Sequence, residues 1–332
     1  MYLSVDIGYG FTKAVSDAGT QVSFPSAAAP AVTDPLGGVF KDGAGYRVRV
    51  SAIGGAEEKL VGDAALQSLA VQGFVAQQEK PQGLHDLLLL TAAYLCGAGT
   101  DAVAAGGNTD LAVGLPLSFY RAQKDALKER LSKLSAWVSV NFGRERYVSF
   151  GKVAVFPQGA GILVSLGSSL PKSGMVGVID VGTYTTDFLL FEVRNGFPVP
   201  VPEACGSVEA GIHLVHRALA AAFERQTGAP LPARMHQQAL ERVRNGEEIS
   251  YRGRVVNLAP AFARAKREAA DAIASHVLAA WGDRTGFLSL VALAGGGALL
   301  FGEILAGYFP RAVQVPDPVF ANALGYLTML SG

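Results

Sequence analysis

Two short segments of this chain put an aspartate, a glycine and a threonine in the same order. They are Asp6-Ile7-Gly8-Tyr9-Gly10-Phe11-Thr12-Lys13 and Asp180-Val181-Gly182-Thr183-Tyr184-Thr185-Thr186-Asp187. Each follows an apolar stretch, passes through Asp-x-Gly and a small turn, and returns through a threonine. Such a turn suits a phosphate. Glycine lets the backbone approach an anion without a Cβ clash and tolerates positive φ. Successive turn N–H groups form an anion-binding nest. Lys13 would add a compact positive charge. Asp6, at a strand end, could hold a magnesium ion through water, because magnesium gives up its hydration reluctantly. Asp180 could serve the same ion from the second segment. Gly182, Thr183 and the backbone N–H of Tyr184 could hold a terminal phosphate. Asp187 has no evident donor role and reads as a solvated or capping residue. Each segment alone also fits an ordinary hairpin with an aspartate in its turn.

Two further segments carry chemistry. Leu293-Ala294-Gly295-Gly296-Gly297-Ala298 lies between an apolar strand pattern and a helix pattern. A backbone this bare lets a ligand lie flat on it, and a helix N-terminus favours negative charge. It also fits a plain tight turn. Phe156-Pro157-Gln158-Gly159 opens an apolar helix near mid-chain, and Gln158 could orient an attacking water. No GxxxxGK[ST] occurs, and no GxGxxG opens a helix after a strand. His213 and His216 sit at i,i+3 spacing, but no acidic partner completes a metal motif.

The elements that must position these residues follow from periodicity. Strands are expected at Tyr2–Ile7, Phe11–Ser16 and Gln21–Phe24, with an irregular Ala/Pro/Gly-rich stretch over Ser26–Gly45 and an edge strand at Tyr46–Val50. Leu84–Cys96 reads as a core helix. Leu111–Leu115 reads as a buried strand ending at Pro116, with Ser118 capping a helix that reaches about Leu134. Strands follow at about Trp137–Phe142 and Tyr147–Phe156. The second half repeats the opening: a strand at Gly177–Val181, a turn, and a strand at Thr186–Val193. Helices are expected at about Gly211–Thr227, Ala233–Arg244 and Pro260–Trp281, with a hairpin at Glu248–Leu258. A strand at Ser289–Leu293 enters the triple glycine, a helix runs on to about Tyr308, and a final helix covers about Ala321–Leu330. Asp101–Asp110 reads as a glycine-rich loop. Two similar domains facing each other across a cleft would account for the repeat.

Composition narrows the functions. The chain has 332 residues, half of them hydrophobic and 17% charged, which excludes intrinsic disorder and suits two domains. Lys plus Arg and Asp plus Glu both number 28, so the formal net charge is zero. A broad electrostatic grip on nucleic acid or an anionic membrane is not expected. Cys96 and Cys205 form no CxxC motif, which excludes a disulfide framework and a cysteine zinc site and suits a reducing cytoplasm. No signal peptide is expected at MYLSVDIGYG. The uncharged stretches at 153–171 and 285–302 contain turn residues and read as strand, turn and helix rather than as membrane spans.

Taken in order, these motifs resemble the actin-like ATPase superfamily of actin, MreB, ParM, sugar kinases and heat-shock chaperone ATPases. DIGYGFTK resembles the first phosphate loop, VFPQGAGILV the first connecting helix, DVGTYTTD the second phosphate loop, LAGGGALL the adenosine motif and ANALGYLTML the second connecting helix. Val113-Gly114-Leu115-Pro116, Val61-Gly62-Asp63-Ala64-Ala65 and Tyr251–Leu258 are similar to ParM-type plasmid-segregating actins and their archaeal relatives. The resemblance implies an α/β chain with two ribonuclease-H-like domains flanking a nucleotide cleft. Domain I would cover 1–157, with a small peripheral subdomain at about 26–85; domain II would cover 158–320, and a helix at 321–332 would return to domain I. It implies ATP or ADP with magnesium as ligands, Asp6 and Asp180 on the magnesium side, and Gln158 beside the reacting phosphate. Gly8, Tyr9, Gly10, Thr12 and Lys13 would surround the β-phosphate, Gly182, Thr183 and Tyr184 the γ-phosphate, and Gly295, Gly296 and Gly297 the adenosine. Arg264, Lys266 and Arg267 are candidates for the adenine, or a solvated helix face. The expected activity is ATP hydrolysis coupled to a cytoplasmic filament, with plasmid DNA reached through a DNA-binding adaptor. A non-polymerising scaffold ATPase or a small-molecule kinase on the same fold is the alternative; a chaperone would need a further peptide-binding region. Two positions depart from the pattern. ParM and MreB carry glutamate where Gln158 stands; a neutral amide is a poor base, so the expected hydrolysis is slow. Tyr184 is bulky where relatives often carry a small residue.

Overall fold

The computed structural model describes residues 1–31, 45–52, 55–74, 80–103 and 107–332. Parts of two sequence readings, the loops at 32–44 and 104–106, lie outside the described residues. By its packing the chain divides into two units, Met1–Gly167 with Val319–Gly332, and Ser168–Pro318.

The strands of the first unit are β1 Tyr2–Ile7, β2 Phe11–Ser16, β3 Gln21–Pro25, β4 Ala27–Pro30, β5 Tyr46–Ala52, β6 Gly55–Val61, β7 Gln72–Gly73, β8 Thr109–Leu115, β9 Ser135–Val140 and β10 Arg146–Pro157. They line up as β3-β2-β1-β8-β10-β9-β5-β6-β4-β7. The first three form an antiparallel meander, then β8 runs parallel to β1 and β10 parallel to β8. Strand β10 serves two neighbours. Arg146–Ser149 pair with β9, and Phe150–Pro157 pair with β8 across an irregularity between Phe150 and Val153, where such a bulge bends the strand. The core lies on the central strands. Leu3, Val5, Leu111 and Val113 pack with Leu88 and Leu89 of the helix Gln82–Leu95 and with Leu131 of the helix Leu117–Ser132. Tyr326 and Leu330 of the C-terminal helix, Ala321–Ser331, pack with Ala112.

Three local expectations change. Part of the stretch read as irregular is the buried strand β4, and β5 is an interior strand held by β6 and β9 rather than an edge. Alanine-rich β4 and mostly exposed β6 show no apolar alternation, so only pairing to neighbours makes them strands. The helix after β8 starts at Leu117, with Pro116 in the N-cap position at φ −52°, so Ser118 lies inside the first turn. Proline has no N–H for the ladder, and its φ is preset for a helix start.

The second unit holds β11 Ser173–Val181, β12 Thr186–Arg194, β13 Phe197–Pro200, β14 Gly206–Val208, the hairpin β15 Ile249–Tyr251 and β16 Arg254–Val256, then β17 Leu288–Ala294 and β18 Ala312–Gln314. Its main sheet runs β13-β12-β11-β17-β18, with β14 on β12. An antiparallel meander is followed by two parallel neighbours. This is the order and sense of β3-β2-β1-β8-β10, the ribonuclease-H-like pattern, built twice in one α/β chain. The helix Ala259–Trp281 buries Ala261, Ala265, Ala269, Ile273 and Val277, one stripe at helical spacing. Trp281 is fully buried and donates its indole N–H to the Ala204 carbonyl at 3.0 Å. Among the described residues, no helix is long and apolar enough to cross a membrane.

Candidate functional site

The first loop joins β1 to β2. Asp6 and Lys13 are register partners on these strands. The Gly8 N–H donates to the Phe11 carbonyl at 3.0 Å, which closes the turn. Asp6 is 5% exposed, and its carboxylate takes two side-chain contacts. Lys13 Nζ lies 3.4 Å from Oδ2, and Gln158 Nε2 donates to Oδ1 at 3.0 Å. A carboxylate only accepts, so this contact fixes which way the Gln158 amide faces. The backbone N–H of Gln158 donates to the Leu115 carbonyl at 2.8 Å. Beside it, Gly159 takes a left-handed φ of 89° to begin the helix Ala160–Ser165. The Gly159 N–H donates to Oδ1 of the buried Asn322 at 3.0 Å. Thr12 is fully enclosed; its hydroxyl meets Ser26 Oγ at 2.9 Å, and the Ser26 hydroxyl donates to the Gly8 carbonyl at 2.8 Å. The Ser26 N–H donates to the Gly10 carbonyl at 2.9 Å. Thr12 and Ser26 therefore brace the loop from behind.

The second loop repeats the first. Asp180 and Asp187 are register partners on β11 and β12, at the places of Asp6 and Lys13. The Gly182 N–H donates to the Thr185 carbonyl at 2.8 Å, the counterpart of Gly8 and Phe11. Thr186, like Thr12, is fully buried; its hydroxyl donates to the Ala210 carbonyl at 2.7 Å. The loop carbonyls are used as well. Those of Gly182 and Thr183 accept from the N–H groups of Ile212 and His213 at 3.3 and 2.8 Å, which satisfies two open donors of the helix Ile212–Thr227. Tyr184 stacks on the His213 ring at 5.3 Å. Burial lowers the His213 pKa, against a raising effect from its bond to the Thr183 carbonyl, so the ring is neutral at neutral pH. Its Nδ1 lies 3.2 Å from that carbonyl and so carries the proton.

The triple glycine packs on the same loop. Gly295 sits at φ +81°, and a Cβ there would lie 2.3 Å from the Val181 carbonyl oxygen and 2.4 Å from Asp180 Oδ1. A Cβ on Gly297 would lie 2.3 Å from Val181 Cγ1, while one on Gly296 would meet nothing nearer than 3.9 Å. The Gly297 N–H donates to the Val181 carbonyl at 2.9 Å. Two of these glycines thus serve packing within the protein, and Gly296 presents the open face. Lys266 and Arg267 line a groove with Glu303, Gly307 and Tyr308.

The structure brings together Asp6, Lys13 and Gln158 in the first unit, and Asp180, Gly182 and the triple glycine in the second. Sequence reading missed Ser26, Lys80, His213 as a loop partner, and Asn322. Lys80 Nζ donates to the Ile7 carbonyl and lies 4.9 Å from the Tyr9 ring centroid. Only chain folding brings these residues to the loops. His213 and His216 form no metal group: among the described residues no three His, Cys, Asp or Glu side chains converge.

Residues 4–161 match the family model for the actin-like protein N-terminal domain, and residues 178–307 match that for the C-terminal part of archaeal MreB-like actin homologues. The chain belongs to the actin-like superfamily. Similar curated relatives of this superfamily are the archaeal actin homologs of Thermoplasma acidophilum and Thermoplasma volcanium. Each is 27% identical over 98% of this chain and 97% of its own length. Among solved structures, a 15-stranded ParM filament from Clostridium botulinum matches with a TM-score of 0.86 at 24% identity, covering 99% of this chain and 98% of that one. An archaeal actin homolog in complex with ADP matches with a TM-score of 0.79 at 23% identity, covering 99% of each chain. These structures share the actin-like fold with this chain.

Proposed function

We propose that this protein binds ATP with magnesium, hydrolyses it slowly and polymerises into filaments that position DNA through a DNA-binding adaptor. The observation that carries this reading is the doubled turn: Gly8 to Phe11 and Gly182 to Thr185 make one hydrogen bond in two copies, each beside a strand-end aspartate. Two such turns suit two phosphates of one nucleotide. Gly8, Tyr9, Gly10 and Lys13 would take the β-phosphate, Gly182, Thr183 and Tyr184 the γ-phosphate, and Gly296 with its neighbours the adenosine. The ADP complex of one relative and the filament of another support the two halves of the proposal.

The donor set fits magnesium. Asp6 and Asp180 offer carboxylate oxygens, and this ion commonly takes one or two carboxylates, phosphate oxygens and retained water. When bound, it would neutralise phosphate charge. Gln158, held by Asp6, would orient water without removing its proton. A zero net charge supports DNA contact through an adaptor rather than directly, and the free cysteines Cys96 and Cys205 suit a reducing cytoplasm. The test is sedimentation of the purified protein with ATP and magnesium, compared with nucleotide-free protein. A nucleotide-dependent pellet is expected. Tight ATP binding with no pellet at high protein concentration would sink the filament half.

A further inference from the structure

We infer that Lys80 is a positioning residue of the first phosphate loop, an inference that rests on the nucleotide reading. The ammonium of Lys80 donates to the carbonyl of Ile7, the residue just before Gly8. It also lies over two rings, 4.9 Å from the centroid of Tyr9 and 5.5 Å from that of Phe74. Those rings meet edge to face at 6.3 Å. Lys80 thus grips the loop on both sides of Gly8, by backbone at Ile7 and by side chain at Tyr9.

A carbonyl held by an ammonium on one side keeps its peptide plane fixed, and the N–H of Gly8 belongs to that plane. The amide that closes the turn is therefore set by Lys80 as well as by Phe11. Lys80 is 73 positions from Ile7 in sequence, which is why no motif contains it.

The ligand part affected is the phosphate group, not the nucleoside. In the full-length protein, Lys80→Met should weaken ADP–magnesium binding by about tenfold, the scale of one lost hydrogen bond to a charged group. Adenosine affinity should stay unchanged, because no phosphate is present. Lys80→Arg should restore most of the ADP affinity. Lys80→Gln keeps a donor for the Ile7 carbonyl without the charge and should fall between. Titration calorimetry reads all four proteins, and thermal unfolding checks that each is folded. Unchanged ADP affinity in Lys80→Met overturns the inference, as does an equal loss for ADP and adenosine. If the unsubstituted protein binds no ADP, the nucleotide reading fails and takes this inference with it. Should Lys80→Met not fold, Lys80→Gln decides alone by the same ADP-to-adenosine comparison.

Discussion

At the scale of single residues, burial decides what a polar group can do. His216 was a weak metal candidate in sequence, but its Nε2 is buried without a hydrogen-bond partner and its ring centroid lies 6.1 Å from that of His236. Burial first, then the neighbouring His236, push its pKa down to about 4, and His213 adds a smaller lowering effect. The folded chain therefore keeps His216 neutral where the unfolded chain takes up a proton. Stability is full above about pH 6.5 and falls as pH drops from there toward about 4. At pH 5 the loss from this group is about 2 kcal/mol. Denaturant midpoints at pH 7.5 and pH 5 for the native chain and for His216→Leu test this, since other titrating groups are common to both. The variant should lose less stability on acidification; equal losses would show that His216 titrates normally.

At the scale of elements, glycines separate into those that allow close approach and those that do not. The helices Ala160–Ser165 and Ala321–Ser331 touch through backbone. A Cβ on Gly325 would lie 1.9 Å from the Gly161 carbonyl oxygen, and one on Gly161 would lie 2.4 Å from the Asn322 carbonyl oxygen. Gly325→Ala must force these helices apart and should cost about 1–3 kcal/mol or more. Exposed Gly307, on the helix Ala298–Tyr308, has nothing within 4 Å of its would-be Cβ. There the same change should stabilise by up to about 1 kcal/mol through helix propensity. Thermal unfolding of the two variants should move in opposite directions. A Gly325→Ala chain as stable as the native one would mean that the crossing is looser than described.

At the scale of the whole molecule, the repeated sheet order makes one nucleotide a shared test of both units. If a non-hydrolysable ATP analogue with magnesium engages both loops, hydrogen exchange should slow at Gly8–Thr12 and at Gly182–Thr185 together. The melting temperature should also rise with ligand concentration, by about 2.7 kcal/mol of stability at a hundredfold excess over Kd. Protection confined to one unit would refute the assignment of both loops to one ligand, whatever happens to the melting temperature.

The sequence by itself determined the features made by neighbouring residues. Asp-x-Gly turns at Gly8 and Gly182, the triple-glycine turn at 295–297 and the apolar strands that lead to them all rest on short-range sterics and periodicity, so they could be read from spacing alone. The order of motifs also carried the superfamily. Tertiary structure decided the rest. Ser26 behind Thr12, Gln158 on Asp6, Asn322 on Gly159 and His213 under Tyr184 are contacts across 14, 152, 163 and about 30 positions, and no local pattern encodes them. The same holds for β4 and β6, whose residues become strands only because neighbours satisfy their backbone groups. At Gly295 and Gly297 the space that a side chain would need is filled by Val181 and Asp180, which no spacing announces. Local chemistry fixed which turns could hold phosphate; packing fixed which side chains stand behind them.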